Sequence, residues 1–294
     1  MIVDERVSLL AAILGTKLRW SEIASQIDDL GSSAAMLSRL QVSEQTLFSD
    51  GSNLDVAVIE AQRLIDEWSR AGMHFATFQQ ANFPSQLLSI HQRPPFVMWK
   101  GQQSSQDSSG VAIVGTRSAS PEGITSARAL ASEMVARGVT VVSGLAAGID
   151  SAAHMGALDA GGRTVAVIGT GLKRSYPRQN ADLQRRIEET GMVLSQFLPD
   201  SPPTKTSFPM RNAIMSGFAS ATVVIEAGWQ SGARMQARLA LEHGRQVFLM
   251  SQLREHDWAC EYSKRPGAHF VSSVDEILSL LDRSSLWTDQ LVDS

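Results

Sequence analysis

Short apolar runs alternate with longer amphipathic segments along the chain from residue 111 onward. Runs such as 111–114, 164–168 and 222–225 have the length and branched side chains of buried strands, and the segments between them repeat apolar residues at helical spacing. Strands that alternate with helices form a parallel sheet covered on both faces. The pattern therefore predicts an α/β fold, a Rossmann-like domain with a doubly wound, mostly parallel sheet.

The first 72 residues have a different pattern, with four apolar-periodic segments in succession. We expect a small helical N-terminal region over 1–72, either a plain bundle or a degenerate DNA-binding helical module. The scarcity of cations before residue 50 favours the bundle. A Rossmann-like domain is predicted over 73–282, and it begins with two strand-like runs, 74–78 and 94–101. A C-terminal tail covers 283–294. The polar, glycine-bounded stretch 101–110 predicts a surface loop.

Composition argues against a highly basic nucleic-acid-coating protein, a disulfide-rich protein and a membrane protein. The chain has 294 residues, of which 43% are hydrophobic and 19% charged, with a formal net charge of −4. That charge argues against bulk electrostatic coating of nucleic acid, but it leaves room for a local basic groove. Because Cys260 is the single cysteine, an internal disulfide and a cysteine-based zinc site are excluded. The N-terminus is unlike a secretory signal and no apolar run approaches about 18 residues, so we expect a cytoplasmic protein with no membrane association.

Glycines and one arginine stand at the ends of four predicted strands. Ligands bind outside these carboxyl ends in a parallel sheet, where glycine lets backbone N–H groups approach an anion and helix N-termini add their dipole. One such loop is ordinary turn chemistry, whereas four along one edge favour a phosphate-bearing ligand in a groove. The chain has neither the dinucleotide-binding nor the P-loop glycine motif. The candidate phosphate-binding residues are Gly115, Arg117, Ser118, Gly144, Gly169 and Gly232.

The stretch PTKTSFPMRN, residues 203–212, is a second candidate. It predicts a proline-bounded loop that brings Lys205, Phe208 and Arg211 close together. A cation for a phosphate and an aromatic ring for a base are the combination that single-stranded nucleic acid sites use. The alternative is that Phe208 belongs to the core and Lys205 is a solvated loop charge.

Catalytic and metal-binding candidates are weaker. Asp150 and His154 are four residues apart on one predicted helix, where a capping aspartate and a packed histidine are the simpler interpretation. Glu226 at a strand end could act as an acid or a base, but it has no partner carboxylate in the pattern. The segment 258–267 is either a packed aromatic loop or a segment that binds a partner or covers a ligand. We assign no catalytic residue, no metal and no cofactor.

Five stretches, in this order along the chain, resemble the DNA-processing protein A (DprA/Smf) family. They are 111–123, 141–158, 164–183, 208–217 and 224–248. The resemblance implies an extended Rossmann-like domain and a non-enzymatic protein that binds single-stranded DNA without sequence preference. It also implies a homodimer that presents the strand to a RecA-type recombinase during DNA uptake and recombination.

The resemblance also implies roles for individual residues. Arg117 and Lys205 match the family's phosphate contacts, and Phe208 matches a ring on which a base stacks. Arg211 and Asn212 match the Arg-Asn pair that follows in the family's motif.

Three departures from the family pattern concern the predicted Rossmann-like domain. Ala213 stands where a second arginine is common, Arg234 stands where an apolar residue is usual, and the segment 251–271 lacks the expected turn and loop. These departures predict a divergent branch and keep two alternatives open. One is a nucleotide- or nucleoside-phosphate-binding sensor or hydrolase of the same superfamily, for instance in anti-phage defence. The other is a regulatory protein that only binds a partner.

Overall fold

The computed structural model describes residues 4–47 and 52–282, and the predicted C-terminal tail over 283–294 lies outside the described residues. The chain divides into two compact units. The first is Met1–Pro84 with Arg93–Lys100, and the second is Ser85–Gln92 with Gly101–Ser294. Within the described ranges, no helix is long and apolar enough to cross a membrane.

Four helices make up most of the first unit, as the sequence predicts. Asp4 caps the first of them by accepting a hydrogen bond from the N–H of Arg6 at 2.8 Å. Gly31 and Gly72 follow the second and fourth helices with φ of 78° and 70°, the left-handed conformation that ends a helix. The helices are α1 (Glu5–Gly15), α2 (Trp20–Leu30), α3 (Ser33–Leu47) and α4 (Ser52–Arg70).

An antiparallel strand pair belongs to the same unit. Strands β1 (His74–Thr77) and β2 (Phe96–Gly101) pair so that His74 lies opposite Trp99. The rings of Phe75 and Phe96 are 5.1 Å apart, and Phe96 is fully buried. Both predicted strands are therefore present, and their antiparallel pairing is the exception in an otherwise parallel fold.

Seven parallel strands form the sheet of the second unit, in the order β6-β5-β4-β3-β7-β8-β9. The chain runs outward from β3 on one side and then returns to β3's other side with β7, which is the doubly wound topology that the sequence predicts. The strands are β3 (Val111–Val114), β4 (Val141–Ser143), β5 (Thr164–Val167), β6 (Met192–Ser195), β7 (Ala221–Val224), β8 (Gln246–Met250) and β9 (Ala268–Val271).

Helices connect these strands and bury apolar faces against the sheet. The start of α5 is typical: Pro121 is its first residue, and the Ser120 hydroxyl accepts the N–H of Gly123 at 3.0 Å. Ile113 of β3, Met134 of α5 and Ile149 of α6 belong to one cluster of buried apolar residues beneath this helix. The helices are α5 (Pro121–Ala136), α6 (Ile149–Asp159), α7 (Ala181–Thr190), α8 (Ser207–Phe218), α9 (Gly232–Glu242), α10 (Asp257–Ser263) and a segment over 274–282.

One local prediction is wrong. The stretch 203–212 is not all loop, because α8 begins at Ser207 and includes Phe208 and Arg211. Thr204 and Ser207 exchange hydrogen bonds between hydroxyl and backbone N–H at 3.0 and 3.1 Å, and proline is tolerated in the first helical turn. The stretch 101–110 lies at the surface, as predicted, and it holds a short 3-10 helix, Ser105–Ser109, whose Asp107 is buried.

Candidate nucleic-acid interface

A cavity of about 360 Å³ opens at the carboxyl ends of β3 and β7. These strands diverge into different connections, so the loops that follow them leave a cleft at the switch point of the sheet. We call this the central cavity. It is lined by Val114, Gly115, Thr116, Arg117, Ala146, Asp150, Phe208, Pro209, Arg211, Asn212, Met215, Gln230, Ser231, Gly232, Ala233, Met235 and Gln236.

A second cavity of about 180 Å³ adjoins the central one along the ends of β4 and β5. We call it the Tyr176 cavity. Arg117, Phe208 and Arg211 line both cavities, so these side chains form the wall between them. The Tyr176 cavity is completed by Gly144, Ala146, Ala147, Gly169, Thr170, Tyr176 and Pro177.

An aromatic and cationic cluster stands on this shared wall. The Arg117 guanidinium lies 5.0 Å from the centre of the Phe208 ring, and the Tyr176 ring lies 5.3 Å from the same ring at 44°. Phe208 is half-buried, while Arg117 and Tyr176 are exposed. The cation–π contact orients the arginine beside the ring and leaves both available to a ligand.

Arg211 occupies a different environment from Arg117. Its side chain is buried, and Nη1 lies 3.7 Å from Oδ2 of the equally buried Asp150. Burial lowers the pKa of Arg211 and raises the pKa of Asp150, because each charge loses its hydration, while their mutual attraction opposes both shifts. Nε of Arg211 has no hydrogen-bond partner within the described part of the chain. The pair therefore places a buried cation, partnered by one carboxylate, in the lining of the central cavity.

Glycine at 144 is needed to fit this buried pair. A Cβ on Gly144 would overlap the Arg211 guanidinium and press on the Asp150 carboxylate. Gly115 is constrained in the same way, because a Cβ there would overlap Ile149 of α6. A Cβ on Gly169 would lie 3.0 Å from the Phe208 ring. These three glycines thus make space for protein groups around the site, in addition to shaping its loops.

The α8–α9 side of the central cavity is held together by Asn212. Its Nδ2 donates to the backbone oxygen of Gly232, the first residue of α9, at 3.3 Å. The Ser231 hydroxyl accepts a hydrogen bond from the N–H of Ala233 at 3.2 Å and so caps α9, whose N-terminal residues Gly232 and Ala233 line the cavity.

Comparison with known proteins identifies the chain. Residues 74–282 match the model of a family described as DNA recombination-mediator protein A. The chain belongs to this family. The resemblance drawn from the five sequence stretches is therefore confirmed.

Relatives in this family support the assignment over most of the chain. Protein Smf of Synechocystis sp. is 36% identical over 225 residues, which is 74% of this chain and 56% of that protein. An X-ray structure of DNA processing protein A from Streptococcus pneumoniae is similar with a TM-score of 0.66 and 29% identity, covering 94% of this chain and 93% of that one. The chain thus spans little more than half the length of the Synechocystis protein.

A further solved structure has a title that concerns single-stranded DNA. It describes the single-stranded DNA binding mode of DNA processing protein A from Helicobacter pylori, which is 27% identical with a TM-score of 0.62. The similarity covers 72% of this chain and 97% of that one.

Eight of the ten sequence-predicted site residues of this family member line one or both cavities. Ser118 and Lys205 line neither; both are exposed, Ser118 beyond Arg117 and Lys205 in the turn before α8. Tyr176 was missed by the sequence reasoning, although it lies inside a family-like stretch and its Tyr-Pro pair was visible. The eight are Gly115, Arg117, Gly144, Gly169, Phe208, Arg211, Asn212 and Gly232.

Glu226, the candidate acid or base, has a structural partner in this fold. Its carboxylate accepts hydrogen bonds from the Ser120 hydroxyl at 2.8 Å and from the Ser120 N–H at 3.1 Å, at the N-terminus of α5. A carboxylate is favourable there because it faces the positive end of the helix dipole. Glu226 lines neither cavity.

His154 is packed rather than exposed to a ligand. Its Nδ1 lies 2.7 Å from the Thr164 hydroxyl, and burial, together with the nearby Arg211 charge, lowers its pKa to about 3. Among the residues with described positions, no group of three or more histidine, cysteine, aspartate or glutamate side chains is placed to hold a metal ion.

The family departures at Arg234 and in 251–271 meet at one place. The Arg234 guanidinium lies 4.0 Å from the centre of the Trp229 ring and donates to the Trp229 oxygen at 2.7 Å. Trp258 of α10 donates its indole N–H to the Ala227 oxygen at 3.0 Å. Arg234 and α10 therefore hold the loop between β7 and α9 in place. Trp229 of this loop is 64% exposed beside the central cavity.

Proposed function

We propose that this protein binds single-stranded DNA without sequence preference, with the central and Tyr176 cavities as its binding site. The observation that carries the proposal is the Arg117 guanidinium 5.0 Å from the Phe208 ring, on the wall that both cavities share. A ring accepts the face of any base and an adjacent cation pairs with the backbone phosphate, which together bind a strand regardless of its sequence. Membership of the family supports the same role in DNA processing.

Phosphate recognition rests on groups around that wall. Arg117 is an exposed cation, Arg211 adds a buried positive charge paired with Asp150, and Gly232 stands at the N-terminus of α9, where the helix dipole favours an anion. Lys205 in the preceding turn and Ser118 beyond Arg117 extend these contacts outward from the cavities. The formal net charge of −4 does not oppose this, because a strand responds to the local groove more than to the summed charge.

The bound strand is presented to a RecA-type recombinase by a homodimer of this chain in the cytoplasm. The family description, a recombination mediator, supports this part of the proposal. Light scattering of the purified protein tests the dimer. Recombinase filament assembly on protein-coated single strands tests the presentation, which should accelerate when this protein is added.

The principal rival is a sensor or hydrolase for a small nucleotide. The size of the central cavity favours it, because about 360 Å³ falls within the range of small-molecule sites. The hydrogen bonds of Glu226 to the start of α5 weaken the hydrolase form, since that carboxylate is occupied outside the cavity. Competition by mononucleotides against a labelled oligonucleotide separates the two proposals.

Fluorescence anisotropy with a labelled oligo-dT, measured over a salt series, tests the proposal. Each phosphate contact with a single strand contributes roughly 0.7 to the slope of log affinity against log salt concentration. Arg117→Ala should weaken binding to every sequence alike and reduce that slope by one contact. Arg238→Ala is the matched control, because Arg238 is exposed on α9 and lines neither cavity. Absence of binding by the wild type at low salt, with tight mononucleotide binding, would replace the proposal with its rival.

A further inference from the structure

Trp229 is an exposed ring beside the central cavity that the proposed function does not use. It lies in the loop between β7 and α9, and the three residues that follow it, 230–232, line that cavity. The residue is 64% exposed. A tryptophan is among the largest apolar surfaces that a protein can offer to a ligand, and it stacks on other flat rings.

One face of the Trp229 ring is covered by a cation from the same element. The Arg234 guanidinium lies over the ring, 4.0 Å from its centre, and Nη1 of the same arginine donates to the Trp229 backbone oxygen at 2.7 Å. The ring is therefore oriented by a side chain from the first turn of α9. Because most of the residue is still exposed, the face opposite the guanidinium is open to a ligand.

Arg234 is itself positioned by α10. Its guanidinium lies 5.9 Å from the centre of the Tyr262 ring, and the Arg265 guanidinium lies 4.4 Å from that ring. Rings and cations thus alternate in the order Trp229, Arg234, Tyr262, Arg265. Tyr262 is buried, so this series is anchored in the second unit and Trp229 is its exposed aromatic member.

The backbone around Trp229 is also held in place. The Trp258 indole N–H donates to the Ala227 oxygen at 3.0 Å, and the N–H of Ser231 donates to the Gly228 oxygen at 3.1 Å. A solitary exposed apolar side chain is common and indicates no function by itself. Trp229 differs because its backbone and one ring face are already fixed, which lowers the entropy that a ligand must remove on binding.

We infer that Trp229 is a second stacking surface for a base of the bound single strand, and that Arg234 is its positioning residue. The open face accepts the flat face of any base, and the neighbouring cavity favours anions through Arg117 and the start of α9 at Gly232. The inference rests on the proposed function. It adds to the Phe208 ring a base subsite in the β7–α9 loop, built on Arg234, where this chain departs from the family pattern.

Trp229→Ala tests the stacking surface with two probes, oligo-dT of about sixteen nucleotides and an abasic strand of the same length. The variant should bind oligo-dT about tenfold more weakly than the wild type. Its salt slope should stay the same, because no phosphate contact is lost. Both proteins should bind the abasic strand equally, since that strand offers no base to stack. Trp229→Phe keeps a ring and should retain most of the affinity for oligo-dT.

Arg234→Leu tests the positioning role. The variant loses both contacts with Trp229 and should bind oligo-dT about threefold more weakly. Its salt slope should again be unchanged; a fall of roughly 0.7 would mean that Arg234 contacts a phosphate directly and is not a positioning residue. Trp229→Ala/Arg234→Leu should bind no more weakly than Trp229→Ala, because the arginine acts through the ring.

Ile59→Ala is the control for loss of an exposed apolar side chain, because Ile59 is exposed on α4 and lines neither cavity. An equal loss of affinity in this control overturns the inference. Unchanged affinity of Trp229→Ala for oligo-dT also overturns it, leaves the site at Phe208 in place and favours a protein partner at Trp229. Equal loss on oligo-dT and on the abasic strand would show that Trp229 acts through the shape of its loop and not by stacking. Failure of the wild type to bind either strand removes the proposed function itself.

Discussion

The Arg117 guanidinium lies 5.0 Å from the centre of the Phe208 ring, although the two residues are 91 positions apart in the sequence. Arg117 follows β3, and Phe208 stands in the first turn of α8 after β6. The contact combines a cation and an aromatic ring at the switch point of a parallel sheet, where ligands of this architecture bind. The proposed binding of single-stranded DNA rests on this contact between Arg117 and Phe208.

Phe208→Leu should lower the affinity for single strands, because leucine fills space but offers no ring on which a base can stack. The expected loss is roughly 1–3 kcal/mol, which is a change of about five- to 150-fold in dissociation constant. The salt slope should stay unchanged, since no phosphate contact is removed. Phe208→Tyr keeps the ring and should bind like the wild type. Equal affinity of the leucine and tyrosine variants in anisotropy titrations would contradict the stacking role.

Gly144→Ala should destabilise the fold and abolish strand binding together. The added Cβ would overlap the buried Arg211 guanidinium, and overpacking of this kind costs about 1–3 kcal/mol. Urea denaturation measures the change in the free energy of unfolding. Gly232→Ala is the control for stability, because a Cβ there has no atom within 4 Å. Equal stability of the two variants would show that Gly144 is not required by packing.

His154 should make the wild type less stable as the pH falls below 6.5. Burial holds the folded-state pKa at about 3, so between pH 6.5 and about 3 the unfolded chain binds a proton that the folded protein does not. The stability contribution of neutral His154 is therefore present above pH 6.5 and declines on acidification, by up to roughly 1.4 kcal/mol per pH unit.

The measurement compares the wild type with His154→Asn, whose amide can still pair with the Thr164 hydroxyl but does not titrate. Urea denaturation from pH 7 to pH 4 should give a stability difference that moves in favour of the variant as the pH falls. A difference independent of pH would mean that His154 is not held neutral in the fold.

Glu226→Gln should leave strand binding within twofold of the wild type. Glu226 joins the end of β7 to the start of α5 through Ser120, outside both cavities, so its charge acts on stability. Loss of the helix-dipole interaction should lower the free energy of unfolding by about 1 kcal/mol. A large loss of a nucleotide-hydrolysing activity in this variant, with stability unchanged, would instead support the enzymatic rival.

The sheet and its edge could be predicted from the sequence because their signals are local. Each strand is a short apolar run, each helix has its own periodicity, and the glycines at strand ends mark the loops that line the cavities. The same locality explains the error over 203–212. Thr204 and Ser207 have the three-residue spacing of a helix start, and in the structure they exchange hydrogen bonds. Pro209 is compatible both with a loop and with the first turn of a helix, so the local sequence does not decide between them.

The environment of each site residue could not be predicted, because it depends on distant segments. Arg211 and Arg117 both appear in the sequence as cations near glycine loops. Only the fold buries Arg211 against Asp150 and leaves Arg117 exposed beside Phe208. Tyr176 was overlooked for the same reason, since its partner is a ring on another connection.

Photo-crosslinking tests the central claim most directly. An oligonucleotide carrying 5-iodouracil is irradiated with the protein, and the attached tryptic peptides are identified by mass spectrometry. We expect crosslinks on the peptides 206–211 and 175–178, which contain Phe208 and Tyr176, and their loss from the first peptide in Phe208→Leu. Crosslinks confined to the N-terminal helices, with none on either peptide, would contradict it and move the strand to a different surface.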